Sequence, residues 1–373
     1  MKRFLIVLIL IIITPTVCFA ADDNNYNEYL NSFDLSAFDE LDDDTYSFLE
    51  DLGIADFNYD KLTHLSLKDI LKHIWQVIIN SADAPVKAGL IVICFIILTS
   101  FFKSMSSELN SSELASTFST VTSLAISIFL IVRITGCISL CCSTVKLCSN
   151  FSFAFFPAFC VIIATSGGGT TSMSVNTMLL ALAQGLNYLS QMIFIPVTNC
   201  FLALGICSGI RQELNISSVV DTLKNLITKS ISTISAIFVT ILSLKTAVAS
   251  RTDALGLRSM RFAINSVVPV IGSSISEGLL SIQSYSSLIK SSVGVVGIIA
   301  IAVIFLPALI EVNLWRIILS LSSICADVFG DKSSVGIIKT FSNTLLIIDV
   351  ILILTMVTTI ISIGILVAAK TVV

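Results

Sequence analysis

Charge is scarce in this chain: Asp, Glu, Lys and Arg make up 12% of 373 residues, against 55% hydrophobic residues and a mean hydropathy of +0.96. A soluble domain of this length cannot hide that much apolar surface in one core, so the soluble globular classes are excluded and a multi-spanning membrane protein is expected. Histidine is scarcer still. His64 and His73, the only two, lie near a predicted surface helix, so a Ser-His-Asp or Cys-His arrangement at membrane depth has no histidine to use. The G-x-x-x-x-G-K-[ST] phosphate loop is missing, as is any C-x-x-C pair. No catalytic, cofactor or metal site is expected, no nucleic-acid partner, and the protein is read as a non-enzyme.

What is present is strongly segregated. The formal charge of −4 conceals 13 acids and no Lys or Arg in residues 22–60, against 12 acids and 19 bases in residues 61–373. The start, MKRFLIVLILIIITPTVCFAAD, has the anatomy of an export signal over residues 1–20. Lys2 and Arg3 lead a short apolar core, with Cys18 and Ala20 at the −3 and −1 positions of a cleavage site; the rival reading is an uncleaved first membrane helix. Residues 21–60 then read as an acidic, flexible extracytoplasmic segment, or as an arm whose scattered aromatics dock on a partner. Residues 61–81 carry Leu67, Ile70, Leu71, Ile74 and Ile78 on one face, and Ser66 with Asp69 as a cap. This predicts an amphipathic helix on the outer membrane surface. A second such helix is predicted at SSVVDTLKNLITKSI, with Ser218 and Asp221 placed to cap it.

The membrane domain, residues 86–373, has spanning or near-spanning runs at 86–103, 114–133, 147–165, 174–193, 195–210, 230–249, 292–311 and 341–369. About seven of these are expected to cross the lipid bilayer. The fold class is therefore an all-α polytopic helical membrane protein with two interfacial helices and an exported acidic segment. Stretches 134–146, 254–290 and 313–329 are apolar but broken by Ser, Gly or charge, and resist assignment. Two basic clusters, Arg251/Arg258/Arg261 and Arg211/Lys224/Lys229, both favour the cytoplasm; either 230–249 is a hairpin or one cluster lies outside.

Nine of the ten cysteines lie in apolar context, the tenth leaving with the signal. Cys137 and Cys141 stand one helical turn apart, as small buried hydrophobes or as a redox pair. Charges inside spans are costly. Lys87, Lys103, Arg133 and Glu311 sit at span ends, whereas Asp349, within NTLLIIDVILILTMV, faces either a helix interface or a wet cavity. TSGGGTTS, with Gly167, Gly168 and Gly169 at its centre, reads as a tight helix-to-helix reversal with Ser174 capping the next helix and Pro157 kinking or breaking the previous one. A substrate loop at a broken helix is the other reading.

Four stretches in order carry a resemblance: FPAFCVIIATSGGGTTS, IFIPVTNCFLALGICSGI, LKTAVASRTDALGLRSMRFAINSVVPVIGSSISEG and SSVGVVGIIAIAVIFLPALIEV. Together, from about residue 85 to the end, the chain resembles the stage III sporulation protein AE family. The third stretch is the most specific, its Arg251, Arg258, Arg261 and Glu277 standing in an apolar background as candidates for assembly or orientation. The resemblance implies an integral subunit, scaffold or permease-like core, of a channel complex in the mother-cell membrane around the forespore, required for endospore formation. It implies other stage III channel subunits as partners and, through them, a forespore membrane protein. The family has no established catalytic residues. Outside the family, the alternative is a free-standing secondary transporter of a small solute.

Overall fold

The structure is a computed structural model that describes residues 67–108, 112–189, 217–267 and 272–368, with isolated positions between 41 and 50 and between 192 and 207. The signal sequence, nearly all of the acidic segment and most of the apolar run 195–210 lie outside the described residues. So do the side chains of Ser66, Asp69, Ser218, Asp221, Arg261 and Glu277.

Among the described residues six long helices follow one another: α1 Leu67–Glu108, α2 Ser112–Thr165, α3 Gly169–Leu189, α4 Ser217–Val267, α5 Gly272–Val328 and α6 Lys332–Ala368. No strand occurs among the described residues. Among the described residues five stretches are long and apolar enough to cross a membrane: Ile74–Met105, Thr117–Thr165, Thr222–Ser259, Ser286–Val328 and Lys332–Ala368.

Length is where the helices depart most from the expected spans. Runs 114–133 and 147–165, read as two spans, are one helix of 54 residues, about 80 Å long at 1.5 Å per residue. The half-polar stretch 134–146 is its middle. Ser and Thr there return their hydroxyls to their own backbone, as Thr135 does to the Ile131 carbonyl at 2.9 Å and Ser143 to the Leu140 carbonyl at 2.9 Å, so polarity does not interrupt the helix. Run 292–311 and stretch 313–329 likewise merge into α5. Pro85, Pro157 and Pro307 all lie inside helices; Pro157 does not break α2. The amphipathic stretch from Leu67 runs on into α1 without interruption, and α4 is one continuous helix of 51 residues. That continuity removes the hairpin reading of 230–249. Lys229 and Arg251 stand about 33 Å apart along α4, roughly the hydrocarbon thickness, so a crossing by α4 puts one basic group on each side.

The centre of the bundle is α5 and α6, each with 56% of its most apolar window buried, whereas α4, at 12%, lies at the edge. A close seam joins α2 to α5. Phe151, Phe155 and Phe159 recur every four residues on one face of α2, stacked with centroids 5.3 and 5.2 Å apart, and all are fully buried. Phe155 and Phe159 press into a seat made by two glycines of α5: a Cβ on Gly297 would lie 2.6 Å from Phe155 Cζ, and one on Gly294 would lie 3.1 Å from Phe159 Cζ and overlap Val367 of α6. Hydrophobicity does not drive helices together inside lipid, so close packing of this kind carries the association.

Gly297→Val should therefore overpack the seam and cost about 1–3 kcal/mol, lowering the thermal unfolding midpoint of the purified protein. Gly256→Ala, where an added Cβ meets nothing within 4 Å, should not. An unchanged midpoint for Gly297→Val would show that Phe155 has room to move.

Candidate functional site

The glycine stretch resolves into two helix ends back to back. α2 closes with a Schellman motif: the Gly167 amide donates to the Ala164 carbonyl at 3.1 Å and the Gly168 amide to the Ile163 carbonyl at 2.9 Å, which satisfies carbonyls the helix end would otherwise leave open. Gly167 has φ +93°, a conformation that favours glycine. Gly168 is required for a different reason, because its Cβ would lie 2.9 Å from the Ile163 carbonyl oxygen. Gly169 meets nothing within 4 Å.

α3 then starts at once. The Ser172 amide donates to the Gly168 carbonyl at 2.8 Å, which makes Gly168 the N-cap residue and Thr170 and Thr171 the second and third residues of the helix. A glycine has no side chain to cap with. The missing acceptor comes from α4: Asp253 Oδ1 accepts from the Thr170 amide at 2.7 Å, and Oδ2 from the Thr171 amide at 2.9 Å and the Thr171 hydroxyl at 2.7 Å. Asp253 is only 8% exposed. The amides and the positive end of the helix dipole offset the cost of burying its charge. Ser174, expected to cap this helix, instead lies exposed within it, because the helix begins five residues earlier. Ser172 donates its hydroxyl to the Cys160 carbonyl at 2.7 Å, tying the first turn of α3 back to α2.

A second turn repeats the device. Between α5 and α6 the Gly330 amide donates to the Asp327 carbonyl at 3.0 Å and the Asp331 amide to the Ala326 carbonyl at 3.0 Å, with Gly330 at φ +69°. Here the cap is local. Asp331, 2% exposed, accepts from the Ser334 hydroxyl at 2.6 Å and from Ser119 of α2 at 2.7 Å, while Lys103 of α1 donates to the Gly330 carbonyl at 3.0 Å. Ser119 stands 46 residues before Thr165, so the two turns mark opposite ends of the bundle, about 70 Å apart along α2.

Asp349 lies between these ends, 18 residues into α6 from Asp331, and does not meet the glycine turn. Its Oδ2 pairs with Arg316 Nη1 at 2.5 Å and its Oδ1 accepts from Asn313 Nδ2 at 2.8 Å; Arg316 Nη1 also donates to Asn313 Oδ1 at 3.2 Å. The Asp349 side chain is 9% exposed and that of Arg316 27%. Both partners come from α5, in the stretch whose charge had resisted assignment. Of the basic cluster, Arg251 and Arg258 are exposed on α4, Arg251 two residues before Asp253. Among the described residues no group of His, Cys, Asp or Glu is placed to hold a metal ion. The nine cysteines among the described residues are free, with Cys137 and Cys141 buried.

Asp253, Asp331, Arg316 and Asn313 were not singled out from the sequence. Asp331 had a legible signal, a Gly-Asp-x-x-Ser pattern opening an apolar run; Asp253 had none, since it caps a helix 83 residues away.

Two contrasts follow from this geometry. Gly168→Ala should destabilise the protein while Gly169→Ala leaves its melting midpoint within a degree or two, and equal effects would contradict the turn. Arg316→Leu alone strands the buried Asp349 carboxylate, a cost of about 3–5 kcal/mol, Asp349→Leu leaves the part-exposed Arg316 at a smaller cost, and the double variant should recover much of the loss; additive losses in thermal denaturation would show that the two do not act as a pair.

Known proteins match along most of this chain. The family model described as Stage III sporulation protein AE (spore_III_AE) matches residues 55–370. Stage III sporulation protein AE of Bacillus subtilis (strain 168) is 26% identical over 162 residues, covering 43% of this chain and 41% of that relative. The aligned region thus spans well under two thirds of the relative's length. No solved structure matches. With the model covering all six helices and both glycine turns, the chain belongs to the stage III sporulation protein AE family.

Proposed function

We propose that this protein is an integral scaffold subunit of the mother-cell channel complex that joins mother cell and forespore, and that it works without catalysis. The observation that carries this reading is the use made of its buried acids. Asp253, Asp331 and Asp349 are each engaged by groups on another helix of the same chain, so the costly polar groups at depth serve helix packing. Membership of a sporulation family and five apolar helices long enough to span support the membrane placement. In this role the protein sits in the mother-cell membrane surrounding the forespore, and its acidic N-terminal segment faces the space between the two membranes as a contact for other channel subunits. A permease-like core would need the glycine turn, the 251–290 block and Asp349 along one path. The turn is capped by Asp253 and Asp349 is engaged by Arg316 and Asn313, so both are occupied in helix packing, which favours the scaffold.

Affinity purification from sporulating cells should recover other stage III channel subunits with this protein, and deletion should stop spore formation after engulfment while vegetative growth stays normal. Purification of the protein alone, together with poor growth before sporulation, would favour the free-standing transporter.

A further inference from the structure

The face of α4 turned away from Asp253 carries a pattern of its own. Ile237, Ile241, Leu244 and Val248 form an exposed apolar column, and Arg251, Leu255 and Arg258, exposed as well, continue it toward the helix end. At about 100° per residue Val248, Arg251, Leu255 and Arg258 fall within about 80° of the helix circumference, while Asp253 points to the opposite side. The column is thus purely apolar up to Val248, 67% exposed, and beyond it alternates arginine with Leu255, 65% exposed. Arg251 stands at the hydrocarbon edge when α4 crosses, and Arg258 lies about 10 Å further out along the axis. That is headgroup depth.

The two cations are unopposed. Among the described residues the ion pairs are Lys87 with Asp83 and Arg316 with Asp349, so neither arginine takes part in one. Asp253, the acid nearest Arg251 in the chain, has both carboxylate oxygens committed to the first turn of α3. Guanidinium groups two turns apart on one face can close on a single phosphate between them, and guanidinium matches phosphate in shape as well as charge. A surface that is cationic and apolar at once fits the boundary between headgroups and acyl chains.

We infer that this face binds an anionic phospholipid, its phosphate held by Arg251 and Arg258 and its upper acyl chain lying on Leu255 and Val248. Continuity with the apolar column favours lipid over an acidic peptide, which would answer the arginines alone. The site rests on the crossing of α4 and is independent of the scaffold role.

Native mass spectrometry of the full chain, released from nanodiscs of equal phosphatidylglycerol and phosphatidylcholine, tests it. Phosphatidylglycerol should be retained in several-fold excess. The excess should vanish with Arg251→Gln and Arg258→Gln together, and should survive Arg133→Gln with Lys146→Gln, which removes two exposed cations from α2 instead. All four side chains are exposed, so both variants should keep the melting midpoint of the unaltered protein. Equal retention of the two lipids, or an excess that persists in the Arg251/Arg258 variant, would overturn the proposal. Inorganic phosphate should fail to displace the lipid, and displacement by it would show a free-anion site in place of a lipid site.

Discussion

The carboxylate of Asp253 stands where a helix cap would otherwise be lost. Glycine at residue 168 is forced by the tight end of α2, and that same glycine must open α3, where it has no side chain to offer the first amides. The Thr171 amide is buried and the Thr170 amide partly so, and an unsatisfied buried backbone donor costs free energy comparable to a lost hydrogen bond. Asp253 supplies both acceptors from α4. The reversal of the chain and the docking of the most exposed helix are therefore one interaction, since α4 cannot leave without uncapping α3.

The rest of the bundle follows the same economy. Helices in lipid gain little from apolar contact with each other, so their association depends on shape and on a few polar links. The phenyl column of α2 fits the glycine seat of α5, and Gly89 of α1 lies against Ile318 of α5 so closely that any Cβ would overlap it. The links are placed along the length: Asp331 joins α2 to the α5–α6 turn at one end, Arg316 and Asp349 join α5 to α6 nearer the middle, and Asp253 joins α3 to α4 at the other. At the outer helix, Lys224 donates to Asn343 of α6 at 3.4 Å, so α4 is tied at a second point, near its start.

Class was legible from composition alone, because an apolar excess of this size leaves one solvent that accepts it. The turn at residues 165–172 was legible too, as three glycines flanked by hydroxyls have few other uses between two apolar runs. Span boundaries were less so. Residues 134–146 look like a break because Ser and Thr count as polar in a hydropathy window, yet their hydroxyls bond to the preceding turn and leave the helix intact. Asp349 was visible as an ionisable group in an apolar run, but its partners were not, since pairing Arg316 with Asp349 depends on how α5 and α6 reverse at Gly330. Asp253 was hidden for the same reason: nothing in a linear reading sets residue 253 beside residue 170. Local chemistry could be read one helix end at a time, whereas the contacts that unite the bundle join residues far apart in the chain.

Backbone hydrogen exchange at Thr170 and Thr171, measured on the intact protein in nanodiscs, tests the Asp253 cap most directly. Amides in the first turn of a helix have no intrahelical partner, so their protection reports on the carboxylate. Slow exchange at both positions that becomes fast with Asp253→Ala, while exchange deeper in α3 near Leu182 stays slow, is the predicted result. Fast exchange at Thr170 and Thr171 in the unaltered protein would contradict it.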